Sequence, residues 1–158
     1  MNNFYLQFRF WIFAVLAVYI AVGFLSRPDF WGIHMESRRA EIARELLLED
    51  SNFLIPRLNG KPILTKPPVF YWLVAGSYKL TGQVNEFSAR LPNVLMGLLM
   101  VLLVYLIGRK WQDNLTGFLA AIITFSTAYY LQYLRYAEID MTFSATILFS
   151  LWFLVLGL

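Results

Sequence analysis

A chain of 158 residues that is 59% hydrophobic and only 15% charged, with a mean hydropathy of +0.58, carries more apolar surface than a soluble domain of its size can bury. Cysteine is absent, which excludes disulfides and thiolate metal sites and leaves the redox compartment unread. The net charge of +3 comes from 13 basic and 10 acidic residues mixed along the chain, so there is no basic tract for nucleic acid, and the charges serve to orient the chain in a bilayer.

Crossing the hydrocarbon takes roughly 17 to 25 apolar residues, and four segments approach that length: residues 10–25, 91–108, 115–131 and 141–158. The first carries bulky Tyr19 and Phe24 and lacks a small-x-small cleavage site before Ser26-Arg27-Pro28, so it reads as an uncleaved anchor rather than a signal peptide. Residues 26–90 form a long polar loop. Within it Ile42, Ala43, Leu46 and Leu47 recur at three and four with Glu41, Arg44 and Glu45 between them. That period predicts an amphipathic helix from Glu36 to Leu48, lying along the membrane surface and ending near Asp50-Ser51-Asn52. A second short helix is expected to start at Pro67 and stop at Gly82, with an apolar core too short to span and therefore re-entrant or interfacial. Asn85 is placed to cap a further turn, Glu86 to Arg90, that leads into the second span, where Pro92 is tolerated near the helix start.

The short connection Arg109-Lys110-Trp111-Gln112-Asp113-Asn114 carries paired cations and is assigned to the cytoplasm by the positive-inside rule. Alternation then puts residues 26–90 and 132–140 outside, with the N-terminus and Arg9 in the cytoplasm. The run 141–158 stops at Leu158 without an interfacial anchor, so residues 1–158 are expected to form a single transmembrane domain at the front of a longer protein.

Several runs in the outer loop carry a resemblance: Glu36-Ser37-Arg38-Arg39-Ala40-Glu41-Ile42-Ala43-Arg44-Glu45, then Ile55-Pro56-Arg57-Leu58-Asn59-Gly60-Lys61-Pro62, Lys66-Pro67-Pro68, Tyr71-Trp72 and Ala89-Arg90-Leu91-Pro92. In order and spacing the chain resembles the polyprenyl-phosphate-dependent membrane glycosyltransferases with the GT-C fold, closest to the bacterial aminoarabinose transferases acting on lipid A and the related protein O-mannosyltransferase-like proteins. In that family the loop begins Asp-Glu-x-Arg-Tyr-Ala-Glu-Ile, with the Asp as the expected catalytic carboxylate. Here Met35 takes its place, Glu36 follows, and Arg39 stands for the usual Tyr. Methionine neither takes a proton nor binds a hard cation. Either Glu36 assumes the role, or the base lies elsewhere, or the protein does not catalyse.

The resemblance implies that Arg38 and Lys66 face the donor phosphate, where a guanidinium engages oxygens bidentately and an ammonium supplies a point charge. The bland alternatives are a surface pairing of Arg38 with Glu41 and an interfacial Lys66. Glu36 and Asp140 are the candidate catalytic carboxylates, since both fall on the outer face and Asp140 resembles the acidic position of the family's second outer loop. Together they are also candidates to hold a divalent metal ion through oxygen ligands, the one cofactor considered. The alternative makes Glu36 a first-turn acid and Asp140 an N-cap. Glu138 is a weaker candidate of the same kind. His34, the single histidine, reads as interfacial decoration. Tyr71 and Trp72 are candidates to stack on a sugar ring, against the ordinary reading of a membrane aromatic belt.

The resulting expectation is an all-α membrane protein with about four transmembrane helices and amphipathic juxtamembrane helices in its first outer loop, GT-C-like, in a bacterial inner membrane. It is expected to move a sugar from a polyprenyl-phosphate donor to a lipid or protein acceptor on the outer face. The rival from another class is a catalytically inactive subunit that keeps the lipid-phosphate cradle, and a transporter is a distant third because the spans hold few charges.

Overall fold

A computed structural model describes residues 3–25, 35–48 and 52–157, with side chains from Phe8 onward. His34 and the expected helix stop at Asp50-Ser51 lie outside these residues. In chain order the elements are α1 (Asn3–Leu25), α2 (Glu36–Glu45), β1 (Arg57–Leu58), β2 (Lys61–Pro62), α3 (Val69–Thr81), α4 (Glu86–Trp111), α5 (Asn114–Ser126), α6 (Ala128–Leu134) and α7 (Ile139–Gly157).

The helices α1, α4 and α7 are each long and apolar enough to cross a bilayer unbroken. They are apolar on all sides, as helices in lipid must be. On α1 the stripe Phe10, Ala17, Ala21 and Leu25 is buried, while Trp11, Val15, Tyr19 and Val22 stay exposed on the other faces. On α7 only Met141, Thr142 and Ala145 are buried. Phe143, Ile147, Phe149, Phe153 and Leu154 point outward.

The third expected span, residues 115–131, is two helices, α5 and α6, bent by 65°. The break is at Thr127, whose backbone is extended at φ −65°, ψ 126°. The hydroxyls of Thr124, Ser126 and Thr127 donate to the carbonyls of Ala120 at 2.9 Å, Ile123 at 3.2 Å and Ile123 at 2.8 Å. Three such back-bonds within four residues compete with the helical ladder and open it.

At the centre stands α4, against which α1, α3, α5 and α7 all pack. It begins at a full capping box, Asn85 Oδ1 accepting from Ser88 N at 3.0 Å and Ser88 Oγ from Asn85 N at 3.1 Å. The expected turn Glu86 to Arg90 and the second span are therefore one helix, and 26 residues at 1.5 Å each give about 39 Å. Phe10 of α1 stacks on Tyr105 of α4 with ring centroids 3.8 Å apart. Where α4 turns into α5, Gly108 faces Gly117; a β-carbon on Gly117 would stand 2.5 Å from the Tyr105 carbonyl and 2.9 Å from the Arg109 amide nitrogen. Only glycine permits that approach.

A second, smaller core sits at the opposite end of α4. Ala40, Ile42, Ala43 and Leu46 of α2 pack with Phe70, Tyr71, Val74, Ala75 and Tyr78 of α3, joined by Ala89 and Ala137. The apolar stripe of α2 is thus buried on α3. Helix α3 begins at Val69, two residues after the expected start at Pro67, with Pro68 as its N-cap, and it stops where expected, with Gly82 left-handed at φ 68° after its last residue.

Candidate functional site

The residues that gather at this end come from three stretches of chain. Glu36 opens α2 and is 1% exposed, as is Arg90 of α4. The Arg90 guanidinium donates from Nε to Glu36 Oε1 at 2.9 Å and from Nη2 to Oε2 at 3.1 Å, and the backbone N–H of Ala137 donates to the same Oε1 at 2.9 Å. One carboxylate therefore ties α2 to α4 and to the stretch before α7, with both oxygens engaged. Ala137 is held on its other side as well, because Arg39 Nη1 donates to its carbonyl at 3.5 Å and to Glu138 Oε2 at 2.5 Å.

Glu45, at the other end of α2, accepts from the backbone N–H groups of Asn59 and Gly60. Those residues form the turn between β1 and β2, at φ 53° and 74°, the two left-handed residues of a tight hairpin. The strands pair Arg57 with Pro62 and Leu58 with Lys61. The hairpin aims the next residues, Ile63 to Lys66, back toward α2.

A cavity of about 140 Å³ results, lined by Met35, Arg38, Arg39, Ile42, Ile63, Thr65, Lys66, Tyr71 and Ile139. Arg38 and Lys66, the two cations that the resemblance expects beside the donor phosphate, both line it. Arg38 reaches Met35 Sδ at 3.7 Å and is not paired with Glu41, which instead binds Arg44 at 2.6 and 2.9 Å. That pairing holds the Glu41 carboxyl below its ordinary range. Burial pushes the Tyr71 phenol above its ordinary value, and the charges of Arg39 and Arg38 pull against this. The phenol remains a neutral donor at the cavity wall.

The two candidate carboxylates are not brought together. Glu36 is sealed in its ion pair, whereas Asp140 is exposed in the first turn of α7. Asp140 lies inside the helix rather than at an N-cap, and lines a separate cavity of about 490 Å³ at the α5–α6 break, with Met100, Tyr129, Tyr130, Tyr133, Met141 and Ser144. Its neighbour Ile139 lines the cationic cavity. The joint metal site expected of Glu36 and Asp140 gains no support from this geometry, and among the described residues no three of His, Asp and Glu gather as a metal-binding group. Trp72 is spoken for: its ring stacks on Phe53 at 5.4 Å and its Nε1 donates to the Phe53 carbonyl at 2.8 Å. Tyr71 stays at the cavity.

Sequence reasoning missed the pairing of Arg90 with Glu36, that of Glu138 with Arg39, and the hairpin. Arg90 was visible as a lone cation entering an apolar span, which requires a buried acid. The hairpin was visible as Asn59-Gly60, the strongest short turn signal.

Residues 65–158 match the family described as dolichyl-phosphate-mannose-protein mannosyltransferase. Several relatives carry the name undecaprenyl phosphate-alpha-4-amino-4-deoxy-L-arabinose arabinosyl transferase, or the same name with a final 2. The protein from Pseudomonas savastanoi is 32% identical over 82% of this chain and 24% of its own length. The one from Pseudomonas fluorescens is 33% identical over 84% of this chain and 23% of its own length. An uncharacterised protein of Aquifex aeolicus is 34% identical over 75% of this chain and 24% of its own length. The chain therefore spans about a quarter of each relative. No solved structure gives a significant match.

Proposed function

The chain belongs to the dolichyl-phosphate-mannose-protein mannosyltransferase family, and from that premise we propose that it supplies the donor-phosphate cavity of a membrane glycosyltransferase. In this reading a sugar passes from a polyprenyl phosphate to a lipid or protein acceptor on the outer face of a bacterial inner membrane, with the N-terminus cytoplasmic. The paired cations Arg109-Lys110 support that orientation. The observation that carries the reading is the convergence of Arg38, from α2, and Lys66, from the connection between β2 and α3, on one cavity.

In the transfer, an acceptor hydroxyl attacks the anomeric carbon. The carbon–oxygen bond to phosphate breaks, its electron pair leaves with the phosphate, and the hydroxyl proton passes to a base. Charge on the phosphate grows through the transition state, so fixed cations beside it lower the barrier. Arg38 engages two oxygens and Lys66 adds a point charge. With Glu36 occupied by Arg90 and Ala137, Asp140 is the carboxylate we assign as base; it lines the separate cavity at the α5–α6 break, and its chain neighbour Ile139 lines the cationic one.

Transfer assayed in membranes carrying the whole gene product tests this. Lys66→Ala and Asp140→Asn are each expected to slow transfer by roughly 10² to 10³-fold. Full activity in both removes the proposed centre.

Met35 favours a second reading, a catalytically silent lipid-phosphate-binding or assembly subunit. It is 54% exposed and lines the cavity where the resemblance puts an acid. Met35→Asp separates the two. A gain of transfer from none marks a degenerate enzyme, whereas an unchanged high rate shows that the base is already present.

A further inference from the structure

Three cations line the cavity, Arg38, Arg39 and Lys66, and they are not equivalent. Among the described residues neither Arg38 nor Lys66 forms an ion pair, whereas Arg39 is paired with Glu138 at 2.5 Å, the two side chains 15% and 6% exposed. Glu138 is not free to swing away, because the preceding residue, Ala137, is held through its N–H by Glu36 and through its carbonyl by Arg39. The acids of α2 are engaged elsewhere: Glu36 by Arg90, Glu41 by Arg44, and Glu45 by the hairpin turn.

Resting on the reading that this cavity takes a lipid phosphate, we infer that Glu138 is a specificity-determining residue. By neutralising Arg39 it restrains the preference of the cavity for a phosphomonoester dianion over a phosphodiester monoanion. The sugar donor is the diester with one negative charge, and the lipid phosphate left after transfer is the monoester, close to two charges above its second pKa of about 6. A third free cation attracts the monoester twice as strongly as the diester, because Coulomb energy is proportional to the ligand's charge. Unrestrained, the cavity would hold the product. Glu138 lets it go.

The test uses the full chain in nanodiscs at pH 8, with a ten-carbon isoprenyl monophosphate and its methyl phosphodiester as probes, and calorimetry as the readout. At roughly threefold per unit of phosphate charge, Glu138→Gln is expected to tighten the monoester about tenfold and the diester about threefold. The monoester-to-diester ratio then widens about threefold. Arg39→Gln combined with Glu138→Gln is expected to keep the wild-type ratio, since the pair removed is neutral as a whole, whereas Arg39→Gln alone leaves Glu138 unpaired beside the cavity and is expected to narrow the ratio about threefold. An ion pair of merely structural importance would weaken both probes in Glu138→Gln. That result, an unchanged ratio in this variant, or a ratio narrowed in the double variant overturns the inference. The double variant decides the matter if Glu138→Gln fails to fold. Should neither probe bind the wild type, the phosphate-cavity reading falls and this inference with it; binding with an unaltered ratio removes this inference alone.

Discussion

Glu36 and Arg90 illustrate how burial reassigns a residue that composition alone marks as chemical. Two charges taken out of water remain charged only if their geometry offsets the desolvation, and here a bidentate pairing and a backbone donor do so. Breaking such a pair leaves the survivor buried and uncompensated. Arg90→Met is expected to lower stability by about 3–5 kcal/mol, measured by unfolding in mixed micelles. The doubly apolar variant, Glu36→Met with Arg90→Met, is expected to recover most of that loss. A single-variant loss below about 1 kcal/mol, the value of an exposed pair, would contradict the assignment of Glu36 as a strut. The resemblance marked Glu36 as a carboxylate of interest, but its partner stands 54 residues away. No local spacing reveals such a pair.

Among the elements, those governed by local chemistry were legible and those governed by competition were not. Pro67-Pro68 and Gly82 bracket α3, and Asn85 with Ser88 starts α4, because caps and breakers act within a single turn. The division of residues 115–131 into α5 and α6 escaped a hydropathy reading, since Thr124, Ser126 and Thr127 sit in an apolar run and act through hydroxyls rather than through polarity. The shortened α2, ending at Glu45, reflects tertiary demand: Glu45 is turned to the hairpin and Leu46 to the core. The α4–α5 corner depends on its two glycines. Gly117→Ala would place a methyl group against backbone atoms of Tyr105 and Arg109. It is expected to cost about 1–3 kcal/mol, read as a lowered melting temperature in detergent. Unchanged melting would show that the corner is looser than described.

At the scale of the whole molecule, the long loop and the stretch before α7 meet at one end of the central helix. Glu36 and Arg39 hold Ala137 and Glu138 from opposite sides, and Arg135 lies 5.6 Å over the ring of Phe24 near the end of α1. The paired cations Arg109 and Lys110, in the last turn of α4, stand at the other end of this helix, which is about 39 Å long. This juxtaposition makes one cavity out of Lys66 and Ile139, and the absence of cysteine permits a clean test of it. With Lys66→Cys and Ile139→Cys in one chain, a short thiol cross-linker applied to native membranes is expected to join the two positions. A membrane-impermeant reagent is expected to reach both from the same face, and to reach a cysteine at Trp111 only from the other. Labelling of positions 66 and 139 from opposite faces would contradict the cavity and the chemistry assigned to it.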